Sequence, residues 1–390
     1  MSKNIAGFSK KTKEEKIDWL IATYFSGNKE AKNTLLSYWN SDVKLQQLHD
    51  EFIENTVSNF YLPLGVAPNF IINQKEFTIP MVIEESSVVA AAAKAAKYWG
   101  ARGGFRTTIL GQEKIGQVHF MYTGAPEKLS SFFKSIEAQF HKDTAGITKN
   151  MIARGGGISS LTLVNKTQEL KGYYQLHTCF NTVDSMGANF INSCLEQFAK
   201  TLVREAALDE TLKHENPIEI IMSILSNYVP NCLVRAEVSC SIDDLESEEG
   251  LTKREFAEKF VRAIEVARIE PHRAVTHNKG IMNGVDAVVL ATGNDFRAVE
   301  AGIHAYASRS GQYRSLSEAS IVGNEFHFSL EIPLAIGTVG GLTNLHPLVK
   351  WSMQLLELPT ASQLMEIIAV AGLAQNFGAL RSLVTSGIQK

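Results

Sequence analysis

The segment KIGQVHFM, residues Lys114–Met121, alternates apolar and polar side chains with the two-residue period of a β-strand. Two further extended segments and two helical patterns follow it, at Pro126–Phe140 (helix), Leu161–Val164 (strand), Tyr173–Val183 (strand) and Ala188–Ala207 (helix). The order strand, helix, strand, strand, helix predicts a compact α+β sandwich and not a doubly wound parallel sheet. We therefore predict a small α+β domain at residues 107–216.

The flanking regions, residues 1–106 and 217–390, predict a larger and mainly helical domain that the small domain interrupts. In the second region an apolar segment is expected to form a helix that ends at Asn227, and residues 252–269 have the pattern of an amphipathic helix. The last forty residues are also expected to be helical, with alanine and leucine on the buried face.

The first region changes character along its length. Residues 10–54 have helical periodicity with many charges and predict two or three amphipathic helices. Residues 60–83 predict two extended pieces joined by the turn-prone pair Asn73-Gln74. Ser87 is then expected to cap an alanine-rich helix, and Gly100 to end that helix in a left-handed conformation.

The composition of the 390 residues argues against several classes of protein. Hydrophobic residues make up 45 % and charged residues 20 %, as in soluble globular proteins. The net charge of -3 provides no electrostatic footprint for nucleic acid or an anionic membrane. The N-terminus lacks the apolar core of a signal peptide, and no apolar run is expected to reach the roughly 20 residues that span a bilayer. We expect a cytoplasmic protein.

The four cysteines have no metal-ligand spacing and suit a reducing compartment. They are expected to be core residues, and they are Cys179, Cys194, Cys232 and Cys240. We predict no metal site.

A polar stretch at Thr276–Asp295, THNKGIMNGVDAVVLATGND, surrounds the apolar run Ala287–Ala291. It predicts a polar loop around a short buried strand. Lys279 with a nearby carboxylate suits a reaction that develops negative charge on a carbonyl oxygen, because a pre-placed cation stabilises that charge. A surface loop with a chance mixture of polar residues explains the same pattern equally well.

Two glycine-containing segments are candidate phosphate contacts, because glycine lets a backbone approach a phosphate and helix N-terminal amides favour its charge. The candidate cofactor-binding residues are Gly155, Gly156, Gly157, Asp184, Met186, Gly187, Ala188 and Asn189. The G-x-G-x-x-G fingerprint is absent, so a Rossmann domain is not supported. Three consecutive glycines alone are more often a simple turn.

Several blocks in register from about residue 50 to residue 390 carry a family resemblance. They are LPLGVA after Glu54-Asn55, PMVIEESSVVAAAAKAAK, GGF, DSMGAN, HNKGIMNG with ATGND, PLAIGTVGG and LAQNFGALRSLVT. Together they resemble the 3-hydroxy-3-methylglutaryl-coenzyme A (HMG-CoA) reductase family, and the EE-x-S-VVAAA pattern fits its bacterial second class best. The resemblance implies a large acyl-CoA-binding domain interrupted by a small ferredoxin-like α+β domain that binds the nicotinamide cofactor.

The family interconverts HMG-CoA and mevalonate plus CoA by two hydride transfers, through mevaldyl-CoA and mevaldehyde. The resemblance implies that Lys279 stabilises the oxyanion, that Glu85 supplies the proton and that Asp295 couples the two. The residues alone favour a different role for Glu85, which is capping of the N-terminus of the alanine-rich helix. The matching substrate-binding residues are Ser87, Asn227, Arg273 and Asn283. Asp286 matches no family role and is expected to be a cap or a surface acid, and His277 a structural loop residue.

The segment after the glycine turn departs from NADH-selective relatives, which carry an acid there that binds the ribose 2′-hydroxyl. In this chain Ile158-Ser159-Ser160 has no acid, and Lys149, Arg154 and Lys166 lie nearby in the sequence. We expect NADPH to be preferred, with NADH as the alternative cofactor.

The resemblance reaches Gln389-Lys390, where the family continues into a small flap domain whose histidine protonates the departing CoA thiolate. None of the ten histidines matches that residue. Without the flap we expect poor release of CoA and better preserved reduction of mevaldehyde. The resemblance also implies a homodimer or higher oligomer, with the active site at the subunit interface and its glutamate and lysine contributed across that interface. A non-catalytic acyl-CoA-binding or regulatory protein is the alternative function.

Overall fold

The computed structural model describes residues 3–214, 217–248, 250–341, 345–385 and 387. The predicted domain boundary at Asn216, Leu342 and Thr343 after the PLAIGTVGG block, and Gln389-Lys390 lie outside the described residues. The chain divides into two compact units, Met1–Pro63 and Leu64–Lys390, and each is described by itself.

The first unit contains the helices α1 (Lys13–Tyr24), α2 (Lys29–Ser37) and α3 (Val43–Asp50), which confirms the prediction of amphipathic helices at 10–54. Thr12 begins α1 in a capping box with Glu15, so the first backbone amides of the helix are satisfied by side chains.

The strands of the second unit are β1 (Leu64–Ile72), β2 (Lys75–Val82), β3 (Arg106–Ile109), β4 (Lys114–Met121), β5 (Gly157–Asn165), β6 (Tyr173–Asn181), β7 (Glu219–Ser226), β8 (Leu233–Ser241), β9 (Ser317–Val322) and β10 (Glu325–Pro333). Its helices are α4 (Val88–Gly100), α5 (Pro126–Ile152), α6 (Ala188–Leu208), α7 (Lys253–Ile269), α8 (Pro271–Ala291), α9 (Phe296–Ala307), α10 (Pro347–Leu355) and α11 (Ala361–Val384).

Strands β4 to β7 form one antiparallel sheet in the order β5-β6-β4-β7, with α5 and α6 packed against it. This βαββαβ arrangement is ferredoxin-like, so the predicted fold class is confirmed. The apolar segment before Asn227 is strand β7 and not the predicted helix, because it pairs with β4 along the sheet edge. The sheet therefore extends beyond residue 216.

The rest of the second unit contains the antiparallel sheet β3-β8-β10-β9, the hairpin β1-β2 and a group of helices around α11. Asn73 and Gln74 both have positive φ and form the predicted turn between β1 and β2. Gly100 is the last residue of α4, whereas the left-handed conformation first occurs at Gly103; the predicted cap at Gly100 is wrong.

Helix α11 corrects the expectation that no apolar run is long enough to span a bilayer. Its 24 residues and mean hydropathy of 1.4 meet that criterion within the described residues, but 72 % of the apolar window is buried in the fold. Helices α4, α7 and α8 cover it together with the sheet β3-β8-β10-β9. A core helix passes the same test of length and composition, because burial in protein also favours apolar residues on every face.

The stretch predicted as a polar loop around a buried strand is helical, since α8 continues through to Ala291. Pro271 occupies the first helical position, and the Glu270 side chain accepts a hydrogen bond from the Arg273 amide. Gly284 is present because α8 and α11 touch at the backbone: a Cβ at this position would overlap the Ala371 carbonyl. Gly284, one of the glycines that suggested a loop, therefore permits helix packing.

Candidate functional site

Lys279 and Asn283 lie one turn apart on α8, and both reach Glu85, which lies just before Ser86 and the N-cap Ser87 of α4. Lys279 Nζ is 2.6 Å from Glu85 Oε2, and Asn283 Nδ2 is 3.4 Å from the same oxygen. The structure thus brings together three of the predicted site residues. Both members of the ion pair belong to one chain, so the implied contribution of glutamate and lysine from two subunits is not required for this contact.

The Glu85–Lys279 pair contributes little to folding, because the side chains are 46 % and 59 % exposed. Solvent-exposed ion pairs contribute about 0–1 kcal/mol to stability. Chemically, the pair offers an ammonium that can stabilise an oxyanion, beside a carboxyl group that can exchange a proton. Stability alone therefore gives no reason for this arrangement.

Ser87 is strained close to this pair. Its φ of 73° lies in the left-handed region, where a non-glycine residue costs of order 1–3 kcal/mol. Ser87 is the N-cap residue of α4, as predicted, and its carbonyl accepts the Ala91 amide at 2.8 Å, but its side chain forms no capping hydrogen bond. Strain of this kind persists where the surrounding structure imposes it, often at binding sites.

Asp295 begins α9 as its N-cap. Its Oδ1 accepts hydrogen bonds from the Arg297 and Ala298 amides at 3.1 and 3.3 Å and pairs with the Arg297 guanidinium at 3.1 Å. These partners all lie in α9, so the predicted coupling to Lys279 is not formed among the described residues of this chain.

The other predicted substrate-binding residues form no hydrogen bond with the Glu85–Lys279 pair in the described part of the chain. Arg273 is half-buried six residues before Lys279 and about 120° round the axis of α8, given 3.6 residues per turn. Burial lowers the pKa of its guanidinium. Asn227 follows β7, and its carbonyl lies against Gly302 of α9, where a Cβ would approach to 2.6 Å. Both remain predictions.

Gly155, Gly156 and Gly157 connect α5 to β5, so no helix N-terminus follows this turn. Gly156 packs against the end of β6, where a Cβ would lie 2.5 Å from the Asn181 carbonyl. A cavity of about 390 Å³ adjoins the turn, and Lys149, Thr148 and His141 are among its lining residues. This turn can therefore present backbone and one ammonium to a ligand.

The segment Asp184–Asn189 leads directly into α6. Gly187 precedes the helix with φ 87°, and the first turn contains no acidic residue, which suits binding of an anion to its amides. Asp184 Oδ1 accepts the Ala361 amide at 2.8 Å, and its carbonyl accepts the Thr338 amide at 2.8 Å. Because Gly156 lies against Asn181, just before this segment, the two predicted phosphate contacts are neighbours in the fold.

Three side chains have environments that the sequence did not predict. Burial and a hydrogen bond with Glu300 raise the pKa of Asp286 to about 8. His277 is buried in α8 and not in a loop; its Nε2 is 2.7 Å from Ser317 Oγ, and burial lowers its pKa to about 3. Lys114, the first residue of β4, is 6 % exposed. No sequence signal distinguishes a buried lysine at a strand end from an exposed one.

All four cysteines are buried and free, as predicted. Across the described ranges, no group of three His, Cys, Asp or Glu side chains is placed to hold a metal ion. The expectation of no metal remains a prediction.

Comparisons of sequence and of structure with known proteins find one family. The hydroxymethylglutaryl-coenzyme A reductase family profile matches residues 14–390. The 3-hydroxy-3-methylglutaryl-coenzyme A reductase of Archaeoglobus fulgidus is 36 % identical over 397 residues, covering 100 % of this chain and 85 % of that protein. The probable reductase of Borreliella burgdorferi is 33 % identical, covering 91 % of this chain and 79 % of that protein.

Among solved structures, the class II enzyme from Streptococcus pneumoniae bound to NADPH in open conformations is 34 % identical with a TM-score of 0.81. The match covers 97 % of this chain and 88 % of that one. With the profile match over nearly the whole length, these similarities show that the chain belongs to the hydroxymethylglutaryl-coenzyme A reductase family.

Proposed function

We propose that the chain interconverts HMG-CoA and mevalonate plus CoA, with mevaldyl-CoA and mevaldehyde as intermediates. Reduction of one HMG-CoA consumes two reduced nicotinamides and two protons and releases one CoA. When bound, one reduced nicotinamide would supply the hydride for the thioester carbonyl, and a second, bound after exchange of the oxidised cofactor, would supply the hydride for the aldehyde. Family membership supports the overall reaction.

The 2.6 Å contact between Lys279 Nζ and Glu85 Oε2 is the observation that carries this proposal. The ammonium stabilises negative charge on the reacting carbonyl oxygen, and the Glu85 carboxyl group protonates that oxygen. Asn283 donates a hydrogen bond to the Glu85 carboxylate. Asn283, Ser87 and Asn227 bind the substrate. Arg273 pairs with the free carboxylate of the substrate. Asp295 retains its proposed coupling role.

The glycine turn and the start of α6 are the proposed cofactor contacts. Lys149 lines the cavity beside Gly156 and Gly157, and no acid is among the lining residues. Lys166 pairs with Glu169 at 2.9 Å, which leaves Lys149 as the better phosphate partner. These features favour NADPH, and the NADPH-bound Streptococcus pneumoniae relative supports a nicotinamide cofactor.

The domain organisation and assembly are also proposals. We place the cofactor in the small domain, residues 107–216 together with strand β7, and the acyl-CoA in the two parts of the large domain that flank it. A cytoplasmic homodimer with an active site at the subunit interface is the proposed working form.

The test is to mix purified protein with HMG-CoA and each reduced nicotinamide and to follow nicotinamide absorbance. We expect two NADPH oxidised for each CoA released, and a lower KM for NADPH than for NADH. Strong NADH selectivity would contradict the cofactor proposal. Binding of HMG-CoA without oxidation of either nicotinamide would overturn the enzymatic proposal and favour the acyl-CoA-binding alternative.

A further inference from the structure

Lys114 is a buried cation at the junction between the β5-β6-β4-β7 sheet and the rest of the second unit. Its Nζ lies 2.7 Å from Thr182 Oγ1, 2.6 Å from the Ser185 carbonyl and 3.2 Å from the Ile336 carbonyl. All three are neutral oxygens, and they satisfy the three donors of the ammonium. A lysine in such a place is uncommon, because burying a charge without a carboxylate is costly.

The Lys114 ammonium connects two backbone segments that would otherwise meet only through their own hydrogen bonds. One is the turn from Thr182 to Gly187 that leads into α6, and Thr182 Oγ1 also donates to the Ser185 carbonyl at 2.7 Å. The other is the segment Ile336–Val339, whose Thr338 amide donates to Asp184. Removing the ammonium would leave the buried Ile336 carbonyl and the part-buried Ser185 carbonyl each short of one donor.

The conformation held by Lys114 is the one that presents the first amides of α6. Val183 and Gly187 both have positive φ, at 50° and 87°, so the turn bends sharply twice within five residues. A Cβ on Gly187 would overlap the Thr182 side chain, which shows how closely the turn folds back on the residue that accepts from Lys114. A small rotation at Thr182 or Ser185 would therefore move the helix start.

We propose that Lys114 is a positioning residue of the dinucleotide site: its ammonium fixes the Thr182–Gly187 turn against Ile336 and so sets the direction of the α6 N-terminal amides. This inference rests on the proposed function, which places the dinucleotide phosphates at that helix start. The Lys114 ammonium is also buried against this turn. Because water screens a buried charge only weakly, the ammonium attracts an anionic ligand bound at the start of α6.

Among the described residues, Cys232 and Asp184 are the titratable groups that affect the charge of Lys114. Burial lowers the pKa of Lys114 to about 8, while Cys232 and Asp184 oppose that shift. Burial raises the pKa of the Cys232 thiol to about 11, so Cys232 does not titrate near pH 8. A change in NADPH affinity between pH 7 and 9 would therefore report the loss of the Lys114 charge and not the ionisation of Cys232.

The test compares Lys114→Met, which keeps the length of the side chain and removes the charge, with the wild type. We expect the Kd for NADPH to rise about tenfold or more, because a buried charged hydrogen-bond donor is lost. The KM for HMG-CoA and kcat at saturating NADPH should change by less than about threefold. In the wild type, NADPH affinity should fall as pH rises through about 8. In the variant this fall should be absent.

Lys134→Met serves as the matched control, since Lys134 is exposed on α5 of the same domain. NADPH affinity equal in Lys114→Met and wild type would overturn this inference alone. If Lys114→Met fails to fold, Thr182→Val, which removes one acceptor, carries the test: it should weaken NADPH binding in the same direction, and unchanged affinity would refute the proposal. Wild-type protein that binds neither dinucleotide would overturn the proposed function, and this inference with it.

Discussion

The two faces of helix α8 serve different purposes. On one face Lys279 is 59 % exposed and, with Asn283, holds the Glu85 carboxylate. On the other face Gly284 lies against the Ala371 backbone, and His277 is 2 % exposed against Ser317. Groups on the exposed face can change at little cost in stability, while groups on the packed face cannot. The helix thus has an exposed polar face and a packed face within a few residues of each other.

The largest expected effect is a loss of activity on the exposed face. Lys279→Met removes the ammonium proposed to stabilise the oxyanion, and loss of one such group typically lowers kcat/KM by about 10²–10³-fold. The free energy of unfolding should change by no more than about 1 kcal/mol, because the ion pair is exposed. Steady-state kinetics and urea unfolding on the same preparations measure both quantities.

Lys259→Met on α7 is the control for that experiment, because Lys259 is also an exposed helical lysine. It should leave both activity and stability unchanged. If Lys279→Met instead unfolds the protein, or retains full activity, the separation between the two faces of α8 is wrong.

A smaller effect, on stability, is expected on the packed face. Gly284→Ala places a Cβ onto the Ala371 carbonyl of α11, and overpacking of this kind costs about 1–3 kcal/mol. Gly280→Ala in the same helix meets no atom within 4 Å. It should stabilise the protein by about 0.5–1 kcal/mol, the usual gain from replacing a helical glycine. Equal urea midpoints for the two variants would contradict the proposed backbone contact.

These glycines also explain why the sequence predicted α8 incorrectly. Gly280, Gly284 and the polar residues between Thr276 and Asp286 are typical of a loop when only local propensity is considered. The benefit of glycine at 284 comes from α11, almost ninety positions later, and no local pattern contains it. By contrast, strands β4 to β6 and helices α5 and α6 were predictable, because these strands alternate and these helices are amphipathic over their own lengths.

The candidate site also combines features that the sequence could predict with features that it could not. Glu85 and Lys279 are 194 residues apart, so the residues alone gave no reason to pair them, and only the family resemblance placed them together. The left-handed backbone of Ser87 and the burial of Lys114 depend on tertiary contacts, which the sequence pattern does not encode. Strand β7 was missed because its apolar residues have neither a clear two-residue nor a clear helical period.

The smallest expected effect concerns Asp286, a border carboxyl: it lies two turns after Lys279 on nearly the same side of α8, but it is partly buried. Burial first, and then the hydrogen bond with Glu300, raise its pKa from 3.8 to about 8, and Oδ1 is buried without a partner among the described residues. Since the folded pKa exceeds the unfolded value, the stability this group contributes is complete below pH 4 and is lost as pH rises towards 8.

Asp286→Asn removes that ionisation, so the free energy of unfolding of the variant should fall less than that of the wild type between pH 4 and 8. Chemical denaturation across this range measures the difference, with the exposed Glu265→Gln of α7 as control. Parallel pH profiles for wild type and Asp286→Asn would show that the border carboxyl is solvated like the exposed face.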